Sequence, residues 1–301
     1  MPALEPDHSC HGEYGGGGEK EMSESMLSFW HEKDPFEIHE DVSAELNARL
    51  LYRSTPGHKK GSVIVCAGGA YIWKSPREDW PVADAYAREG YQTYVLEYTA
   101  DMGDAPLGTL PLRQLAWAVR TAKKRSHSLG IPEFTAVAGF SAGGHLCASL
   151  GVHWNDTDLF TEEEQKGNRP DAMILGYAVT NLHAFDGKDL VKCLCGSNKE
   201  IYAYLSVTNY VTENTPPTFL WHTARDEEVP VQSSLDFTQA LIKHHVPAEL
   251  HIFPEGPHGM SLATADLDEP DKGRISDPHV ASWFALSVQW LDKVINDAAN
   301  K

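Results

Sequence analysis

The segment Gly139-Phe140-Ser141-Ala142-Gly143 constrains this chain most, because it stands between a strand pattern and a helix pattern. Residues 135–138 form a short apolar run typical of a buried strand, and residues 144–150 are small and mostly apolar, as in a packed helix. A serine on such a sharp turn projects its hydroxyl from the sheet, and glycines beside it allow the close approach. A chance match is the alternative in a chain with 24 glycines. The flanking patterns favour a nucleophilic Ser141.

A serine hydroxyl requires a general base and an acid that orients the base. In a strand–turn–helix arrangement of this type, the acid and then the histidine follow the serine along the chain. Asp226 follows an apolar strand pattern at 217–224, and His258 follows an alternating strand pattern at 248–253. Site residues of open α/β sheets lie at such strand ends. The sequence therefore predicts Ser141 as nucleophile, Asp226 as orienting acid and His258 as general base.

Each partner of the serine has rivals. Glu227 and Glu228 adjoin Asp226, but their polar surroundings are typical of a solvated turn. The chain has 15 histidines, so a histidine alone indicates little. Only His258 combines the chain order, a strand-end loop and nearby glycines. The others considered fall within helix or strand patterns: His145, His222, His244, His245 and His251.

A second strand end supplies candidate donors for an oxyanion. Residues 62–66 form a buried strand pattern, and Ala67-Gly68-Gly69-Ala70-Tyr71 follows directly. This is the position of the H-G-G-G loop of lipases and esterases, whose backbone N–H groups stabilise negative charge in acyl transfer. An ordinary glycine turn is the alternative. Beside Ser141, the pattern predicts an oxyanion hole formed by the N–H groups of Gly69, Ala70 and Ala142.

With these motifs in place, the chain resembles the α/β-hydrolase esterases of the acetyl-xylan-esterase and acetyl-esterase type. The resemblance extends over about residues 36 to 295. Its motifs are specific for serine hydrolysis and much less specific for the acyl group or the alcohol. They are contained in residues 65–71, 75–83, 138–146, 216–226 and 250–259.

The resemblance implies a mostly parallel central sheet with helices on both faces, and a serine esterase that requires no cofactor and no metal. It also implies a small-molecule ester substrate: a small acyl group, acetyl in the first place, on a short xylo-oligosaccharide or similar sugar. Tyr71 and Trp73 are predicted to line the substrate pocket, with aromatic packing as the alternative.

The chain departs from the family pattern at three positions. Ala70 replaces the usual third glycine of the oxyanion loop, Ala67 replaces a common proline, and Trp80 stands where an acidic residue is frequent. The methyl group of Ala70 is expected to narrow the oxyanion loop or the acyl pocket. Ser75, Arg77 and Glu78 are expected to brace the loop, with plain surface charge as the alternative for Arg77 and Glu78.

The net charge of −18 argues against nucleic acid and an anionic membrane as partners. No apolar run is long enough to cross a membrane, and the first residues lack the apolar core of a signal peptide. Cys66 and Cys147 fall in core patterns, while Cys193 and Cys195 lack the spacing of a metal knuckle. These features predict a cytoplasmic protein, and a homo-oligomer stays an open alternative.

Alternating strand and helix patterns predict one α/β domain over residues 31–301, preceded by a flexible tail at 1–30 that contains four consecutive glycines. Residues 181–215 leave the sheet pattern and contain two short helical runs, which predicts a small cap insertion over the site. The acidic stretch 261–278 is a candidate second rim. For both segments, simple cover for the sheet edge is the alternative.

Two other functions stay open from the sequence. A serine peptidase or amidase of the same fold would require a recognition site for a peptide terminus, and no appended propeller or obvious acidic pair for an amine is present. A catalytically idle binding protein would have no reason to retain Ser141, Asp226 and His258 together.

Overall fold

The central sheet is formed by short segments rich in β-branched and aromatic residues, the residue types that pack well on a pleated surface. The computed structural model describes residues 37–54, 57, 59–101, 103 and 105–299, so the predicted tail at 1–30 lies outside the described residues. The strands are β1 (Ile38–Ser43), β2 (Ala48–Arg53), β3 (Ser62–Cys66), β4 (Gln92–Glu97), β5 (Thr135–Phe140), β6 (Ala172–Gly176), β7 (Thr218–Thr223) and β8 (Ala248–Phe253).

The eight strands form one sheet in the order β1-β2-β4-β3-β5-β6-β7-β8. β1 pairs antiparallel with β2, and β2 pairs antiparallel with β4. All later pairs, from β4–β3 to β7–β8, are parallel. Every residue of β3, β5, β6 and β7 is buried, as expected for parallel strands that helices cover on both faces.

Helices follow the strands in alternation. The longer ones carry apolar residues at helical spacing, and α2 ends at Gly130, whose left-handed backbone (φ 66°) suits a helix C-terminus. The helices are α1 (Trp80–Arg88), α2 (Leu110–Leu129), α3 (Ala142–His153), α4 (Glu162–Asn168), α5 (Asp189–Cys195), α6 (Lys199–Tyr204), α7 (Gln232–Lys243) and α8 (Pro278–Ala299). Short 3₁₀ turns occupy Leu182–Phe185, Val207–Tyr210, Ala265–Leu267 and Pro270–Lys272.

The two faces of the sheet are covered by different helices. On one face α1 packs against α8, where the hydroxyl groups of Tyr86 and Ser287 lie 2.7 Å apart. Phe140 of β5 and Trp221 of β7 also reach α8, where both contact the ring of Trp283. The opposite face packs against α2 and α3, because side chains alternate along each strand. The predicted α/β-hydrolase fold, a mostly parallel sheet with helices on both faces, is confirmed.

The predicted helical insertion at 181–215 contains α5, α6 and two 3₁₀ turns. It lies between β6 and β7 in the chain and packs against α3 rather than extending the sheet. The carbonyl oxygen of Leu205 accepts a hydrogen bond from the buried ring of His145 in α3 at 2.8 Å. The insertion is therefore attached to the helix that follows Ser141.

Candidate active site

Ser141 occupies the turn between β5 and α3 with a strained backbone, φ 52° and ψ −118°. For a non-glycine residue this backbone conformation is energetically unfavourable, and residues in such conformations are frequent at functional sites. The turn packs so closely against β3 that a Cβ atom at position 143 would overlap the carbonyl oxygen of Cys66, which is why Gly143 is required there. The Ser141 N–H donates to the carbonyl oxygen of Gly176 at 3.0 Å, which fixes the turn against β6.

His258 lies on the loop after β8, and its ring reaches across the sheet edge to Ser141. Nε2 lies 2.9 Å from the Ser141 hydroxyl oxygen, and Nδ1 lies 2.7 Å from Oδ2 of Asp226. The ring stands edge-on against Tyr177, with a centroid distance of 4.9 Å. The carboxylate is an acceptor, so Nδ1 carries the proton and Nε2 of the neutral ring is free to accept the serine proton.

Asp226 follows β7 and is held by several donors. Its Oδ1 accepts hydrogen bonds from the backbone N–H groups of Glu228 at 2.9 Å and Val229 at 2.8 Å. Burial alone would raise the pKa of Asp226. Hydrogen bonds from His222, His258 and the Val229 N–H, with electrostatic attraction from the nearby His258 ring, instead hold this pKa well below its usual range. Asp226 is therefore ionised at neutral pH.

The oxyanion loop follows β3, and its backbone adopts positive φ angles at three consecutive residues: 129° at Gly69, 55° at Ala70 and 63° at Tyr71. Within the part of the chain that the structure describes, the N–H groups of Ala70 and Ala142 donate no hydrogen bond. Two unpaired amides beside a serine hydroxyl are the arrangement that an oxyanion hole requires. The N–H of Gly69 likewise has no acceptor among the described residues.

A buried carboxylate braces this loop from behind. Glu78 is 3% exposed, and its Oε2 accepts the N–H of Gly68 at 2.8 Å. Its Oε1 accepts the Tyr177 O–H at 2.7 Å, and that hydroxyl oxygen accepts the N–H of Ser261 at 3.0 Å. Burial and the adjacent Glu78 raise the pKa of Tyr177 well above its usual value, so its phenol remains a donor. Glu78 thus connects the oxyanion loop to the loop that carries His258.

Two arginines attach the following segment, 261–278, to the same region. Arg77 is buried and donates to the carbonyl oxygens of Leu267 at 2.9 Å and Gly259. Arg274 donates from Nε to the carbonyl oxygen of His258 at 2.9 Å and from Nη1 to Glu269 at 2.7 Å. Arg77 and Glu78 therefore have the bracing positions expected for them and are not surface charges.

A small cleft of about 120 Å³ opens above Ser141. This volume is below the ~300–1,000 Å³ usual for pockets that hold drug-sized ligands, so the space suits a small group. The cleft combines the reactive side chains with the oxyanion loop and with charged and aromatic side chains. Its lining residues are Gly69, Ala70, Trp73, Ser75, Glu78, Ser141, Glu228, His258, Gly259 and Arg274.

The two predicted pocket aromatics have different positions. Trp73 lines the cleft and is 44% exposed. Tyr71 is 1% exposed, and its hydroxyl oxygen lies 2.8 Å from Nδ1 of His145. Positive φ angles at Ala70 and Tyr71 turn this side chain into the core. The prediction that Tyr71 lines the pocket is corrected here: it belongs to the support of the oxyanion loop.

The insertion at 181–215 contributes no residue to the lining of this cleft. It contacts the oxyanion loop from the side instead, where the thiol of Cys193 donates to the carbonyl oxygen of Tyr71 at 3.2 Å. Arg274, which lies in the candidate second rim at 261–278, is one of the residues that line the cleft.

Several residues of the site were not singled out in the sequence. Arg274 belongs to no recognised sequence motif. The polar surroundings of Glu228 predict a solvated turn residue. The strand pattern predicts only an ordinary strand residue at position 222. In the structure His222 is fully buried, and its Nε2 lies 3.3 Å from Oδ2 of Asp226. A position four residues before the predicted acid, at the end of the same strand, was the available signal for His222.

Within the described ranges, no group of three or more His, Cys, Asp or Glu side chains is placed to hold a metal ion. Over those same residues, every helix is too short or too polar to cross a membrane. Cys66, Cys147, Cys193 and Cys195 are free and buried.

Comparison with known protein families shows to which family the chain belongs. Residues 51–241 match the sequence profile of the family described as BD-FAE. The chain belongs to the BD-FAE family. This match includes the oxyanion loop, Ser141 and Asp226, while His258 lies beyond its end.

Curated and solved relatives agree with the BD-FAE assignment. The chain is 35% identical over 214 residues to "Endo-1,4-beta-xylanase B" of Butyrivibrio fibrisolvens, which covers 69% of this chain and 34% of that protein. It superposes on an acetyl ester-xyloside bifunctional hydrolase from Caldicellulosiruptor lactoaceticus with a TM-score of 0.70 and 35% identity, over 82% of this chain and 88% of the other. A carboxylesterase from Lactobacillus plantarum gives a TM-score of 0.74 at 27% identity, over 86% and 98%.

The chain spans about a third to a half of the length of the curated relatives that it matches. These relatives and the solved structures include proteins named esterase, carboxylic ester hydrolase and acetylxylan esterase. The described residues therefore contain a BD-FAE domain, and the predicted resemblance to α/β-hydrolase esterases is confirmed.

Proposed function

We propose that this BD-FAE member is a serine carboxylesterase that removes small acyl groups, acetyl in the first place, from sugars such as acetylated xylo-oligosaccharides. One observation carries the proposal. A continuous chain of hydrogen bonds runs from the Ser141 hydroxyl through His258 to Asp226. Its Ser141 end lies in a small cleft beside two unpaired backbone N–H groups.

In the acylation step, Ser141 Oγ attacks the ester carbonyl carbon while Nε2 of His258 takes the hydroxyl proton. The C–O double bond becomes a single bond, and the oxyanion accepts hydrogen bonds from the N–H groups of Ala70 and Ala142, with Gly69 as a further donor. Asp226 stabilises the imidazolium through Nδ1. Collapse of the intermediate breaks the ester C–O bond, and His258 gives its proton to the leaving sugar hydroxyl.

In the deacylation step, water replaces the sugar. His258 takes one proton from the water as it attacks the acyl carbon, and the same oxyanion donors stabilise the second intermediate. The bond to Ser141 Oγ then breaks, Oγ regains the proton from His258, and the carboxylic acid leaves. Each turnover consumes one water and returns the side chains to their starting protonation, so no cofactor or metal enters the balance.

The size of the cleft supports a short acyl group. At about 120 Å³ the space beside Ser141 is small, and Ala70 is part of its wall. A long acyl chain would have to extend into solvent, where its apolar surface would stay exposed to water.

Two features support a sugar as the alcohol. Trp73 lines the cleft and is 44% exposed, and Arg274 and Glu228 add charged hydrogen-bonding groups. Flat apolar rings and multiple hydrogen bonds suit a pyranose, which has apolar C–H faces and equatorial hydroxyls. The relatives named acetylxylan esterase and acetyl ester-xyloside hydrolase support the same class of substrate.

The experiment compares hydrolysis of 4-nitrophenyl acetate, butyrate and octanoate by the wild type and by Ser141→Ala, followed by release of acetate from acetylated xylo-oligosaccharides. We expect acetate to be the best acyl group, octanoate to be poor, and turnover to fall by a factor on the order of 10⁶ in the variant. We also expect the wild type to release acetate from the acetylated xylo-oligosaccharides.

Other outcomes would redirect the assignment. Wild-type activity that survives Ser141→Ala excludes Ser141 as the nucleophile. Preference for aminoacyl amides over esters would favour a peptidase or amidase of the same fold. Absence of turnover and of reaction with a fluorophosphonate would favour a binding protein. Good acetate turnover without release from acetylated sugars would retain the esterase and overturn the sugar.

A further inference from the structure

A second histidine lies on the far side of the Asp226 carboxylate. His222 is in β7 and fully buried, and Nε2 lies 3.3 Å from Oδ2 of Asp226, the same oxygen that His258 contacts at 2.7 Å. Two imidazole rings therefore share one carboxylate oxygen. Only one of the two rings reaches the Ser141 hydroxyl.

The neighbours of His222 fix which ring nitrogen carries the proton. Nε2 also lies 3.0 Å from the carbonyl oxygen of Val229, which can only accept. With a carbonyl and a carboxylate oxygen as its two neighbours, Nε2 must be the donor. Nδ1 lies 2.8 Å from the Ser234 hydroxyl, which can donate to it. The neutral ring is satisfied in one tautomer, with its N–H bonded to the Val229 carbonyl oxygen and 3.3 Å between Nε2 and Asp226 Oδ2.

Counting acceptors shows what this donor adds. An ionised carboxylate offers about four acceptor positions. The backbone N–H groups of Glu228 and Val229 fill two of them at Oδ1, and His258 fills a third at Oδ2. The fourth position faces Nε2 of His222, which lies 3.3 Å from Oδ2. With both oxygens held from two sides, the carboxylate cannot rotate about its Cβ–Cγ bond without breaking contacts.

We propose that His222 is a positioning residue for Asp226: its Nε2–H holds Oδ2 in line with Nδ1 of His258 and so aligns the general base with Ser141. The inference rests on the proposed function for the reaction that it serves. His222 touches no substrate and acts through Asp226 alone. Small errors of alignment in such a chain reduce the rate of the chemical step rather than substrate binding.

Three substitutions separate this role from simple packing. The amide nitrogen of glutamine is three bonds from Cβ, like Nε2 of histidine, so His222→Gln can still donate to Asp226. The amide nitrogen of asparagine is two bonds from Cβ, like Nδ1, so His222→Asn cannot. Ser234→Ala removes the partner of Nδ1 and leaves the Nε2 donor in place.

We expect His222→Asn to lower kcat on 4-nitrophenyl acetate by about tenfold or more with KM unchanged, whereas His222→Gln recovers most of kcat and Ser234→Ala stays within about threefold of the wild type. Thermal unfolding of each variant accompanies the kinetics. Equal loss of kcat in His222→Gln and His222→Asn, or full activity in His222→Asn, would overturn the proposal.

A measurement on the wild type keeps the test independent of folding and of activity. The ¹H–¹⁵N correlation spectrum of the histidine rings, with Ser234→Ala to identify His222, should show an unprotonated Nδ1 and a protonated Nε2. A proton on Nδ1 alone would exclude donation to Asp226 and overturn the inference. A wild type without esterase activity would overturn the proposed function, and the ring spectrum would still decide the hydrogen bond.

Discussion

The phenolic O–H of Tyr71 donates a hydrogen bond to Nδ1 of His145, with 2.8 Å between oxygen and nitrogen. The direction follows from the opposite side of the ring, where Nε2 lies 2.8 Å from the carbonyl oxygen of Leu205 and must carry the proton. Burial lowers the pKa of His145 to about 4, so the ring is neutral at neutral pH. This contact joins the oxyanion loop to α3 and to the insertion at 181–215.

Tyr71→Phe tests this support. Loss of the hydroxyl leaves Nδ1 of His145 buried without a donor, which should lower the free energy of unfolding by about 1–3 kcal/mol. The oxyanion loop also loses an anchor one residue from Ala70, so kcat on 4-nitrophenyl acetate should fall by about tenfold with little change in KM. Urea unfolding and steady-state kinetics measure the two effects.

Tyr86→Phe is the matched control, because Tyr86 is equally buried and bonds to Ser287 on the opposite face of the sheet. It should lose a similar amount of stability and keep its kcat. If both variants reduce kcat in proportion to their loss of stability, Tyr71 has no specific connection to the oxyanion hole.

Glu78→Gln tests the brace behind the oxyanion loop. An amide oxygen can still accept the N–H of Gly68, but the amide nitrogen cannot accept the O–H of Tyr177. One buried hydrogen bond is therefore lost, and the loops that carry Gly68 and His258 should move apart. We expect kcat to fall by about 10–10²-fold. Glu89→Gln, at an exposed position beyond α1, removes the same charge and should leave the kinetics unchanged; an equal fall in that variant would assign the effect to net charge.

Stability should decrease as the pH falls from 6.5 towards 4. Burial lowers the pKa values of His145 and His153 to about 4, from 6.5 for the ordinary side chain. Below pH 6.5 the unfolded chain takes up protons at these positions while the folded chain does not, so unfolding is favoured. With about 1.4 kcal/mol per pH unit, the full effect of His145 is about 3 kcal/mol.

Urea unfolding at several pH values between 4 and 7 measures this dependence. His145→Gln removes one titrating ring, so its free energy of unfolding should fall less steeply with decreasing pH than that of the wild type. An identical slope in the two proteins would show that His145 titrates normally in the folded state.

Trp73→Ala tests the sugar contact. The Trp73 side chain at the cleft should contribute to binding of the sugar, whereas 4-nitrophenyl acetate contains no sugar. We expect KM for an acetylated xylo-oligosaccharide to rise by about tenfold, which corresponds to roughly 1.4 kcal/mol, with kcat on 4-nitrophenyl acetate nearly unchanged. Trp73→Phe keeps a flat ring, so its KM for the oligosaccharide should lie between those of the wild type and Trp73→Ala. Equal effects on both substrates would remove Trp73 from sugar recognition.

The sequence predicts what is encoded locally. The strand–turn–helix pattern around Ser141 and the strand ends before Asp226 and His258 indicated the fold, and the structure confirms it. Helices also leave local signals in the sequence, because apolar residues recur at helical spacing and a glycine such as Gly130 stands at a helix end.

Contacts between residues that are far apart in the chain could not be predicted from local sequence patterns. Arg274 reaches the cleft only because its loop folds back on His258, 16 residues earlier. Glu78 meets Tyr177 across 99 residues of chain. Tyr71 points into the core because two non-glycine residues adopt positive φ, a conformation that sequence patterns do not favour. The catalytic roles of Ser141, Asp226 and His258 remain a proposal that the geometry supports.

The most direct test of the central claim is the site of covalent reaction. A fluorophosphonate should add one phosphonyl group to the wild-type chain, and peptide mass spectrometry should locate it on Ser141, with esterase activity lost in proportion to labelling. Ser141→Ala should remain unlabelled and inactive on 4-nitrophenyl acetate. Labelling at another residue, or an unlabelled protein that hydrolyses the ester at the wild-type rate, would contradict the account.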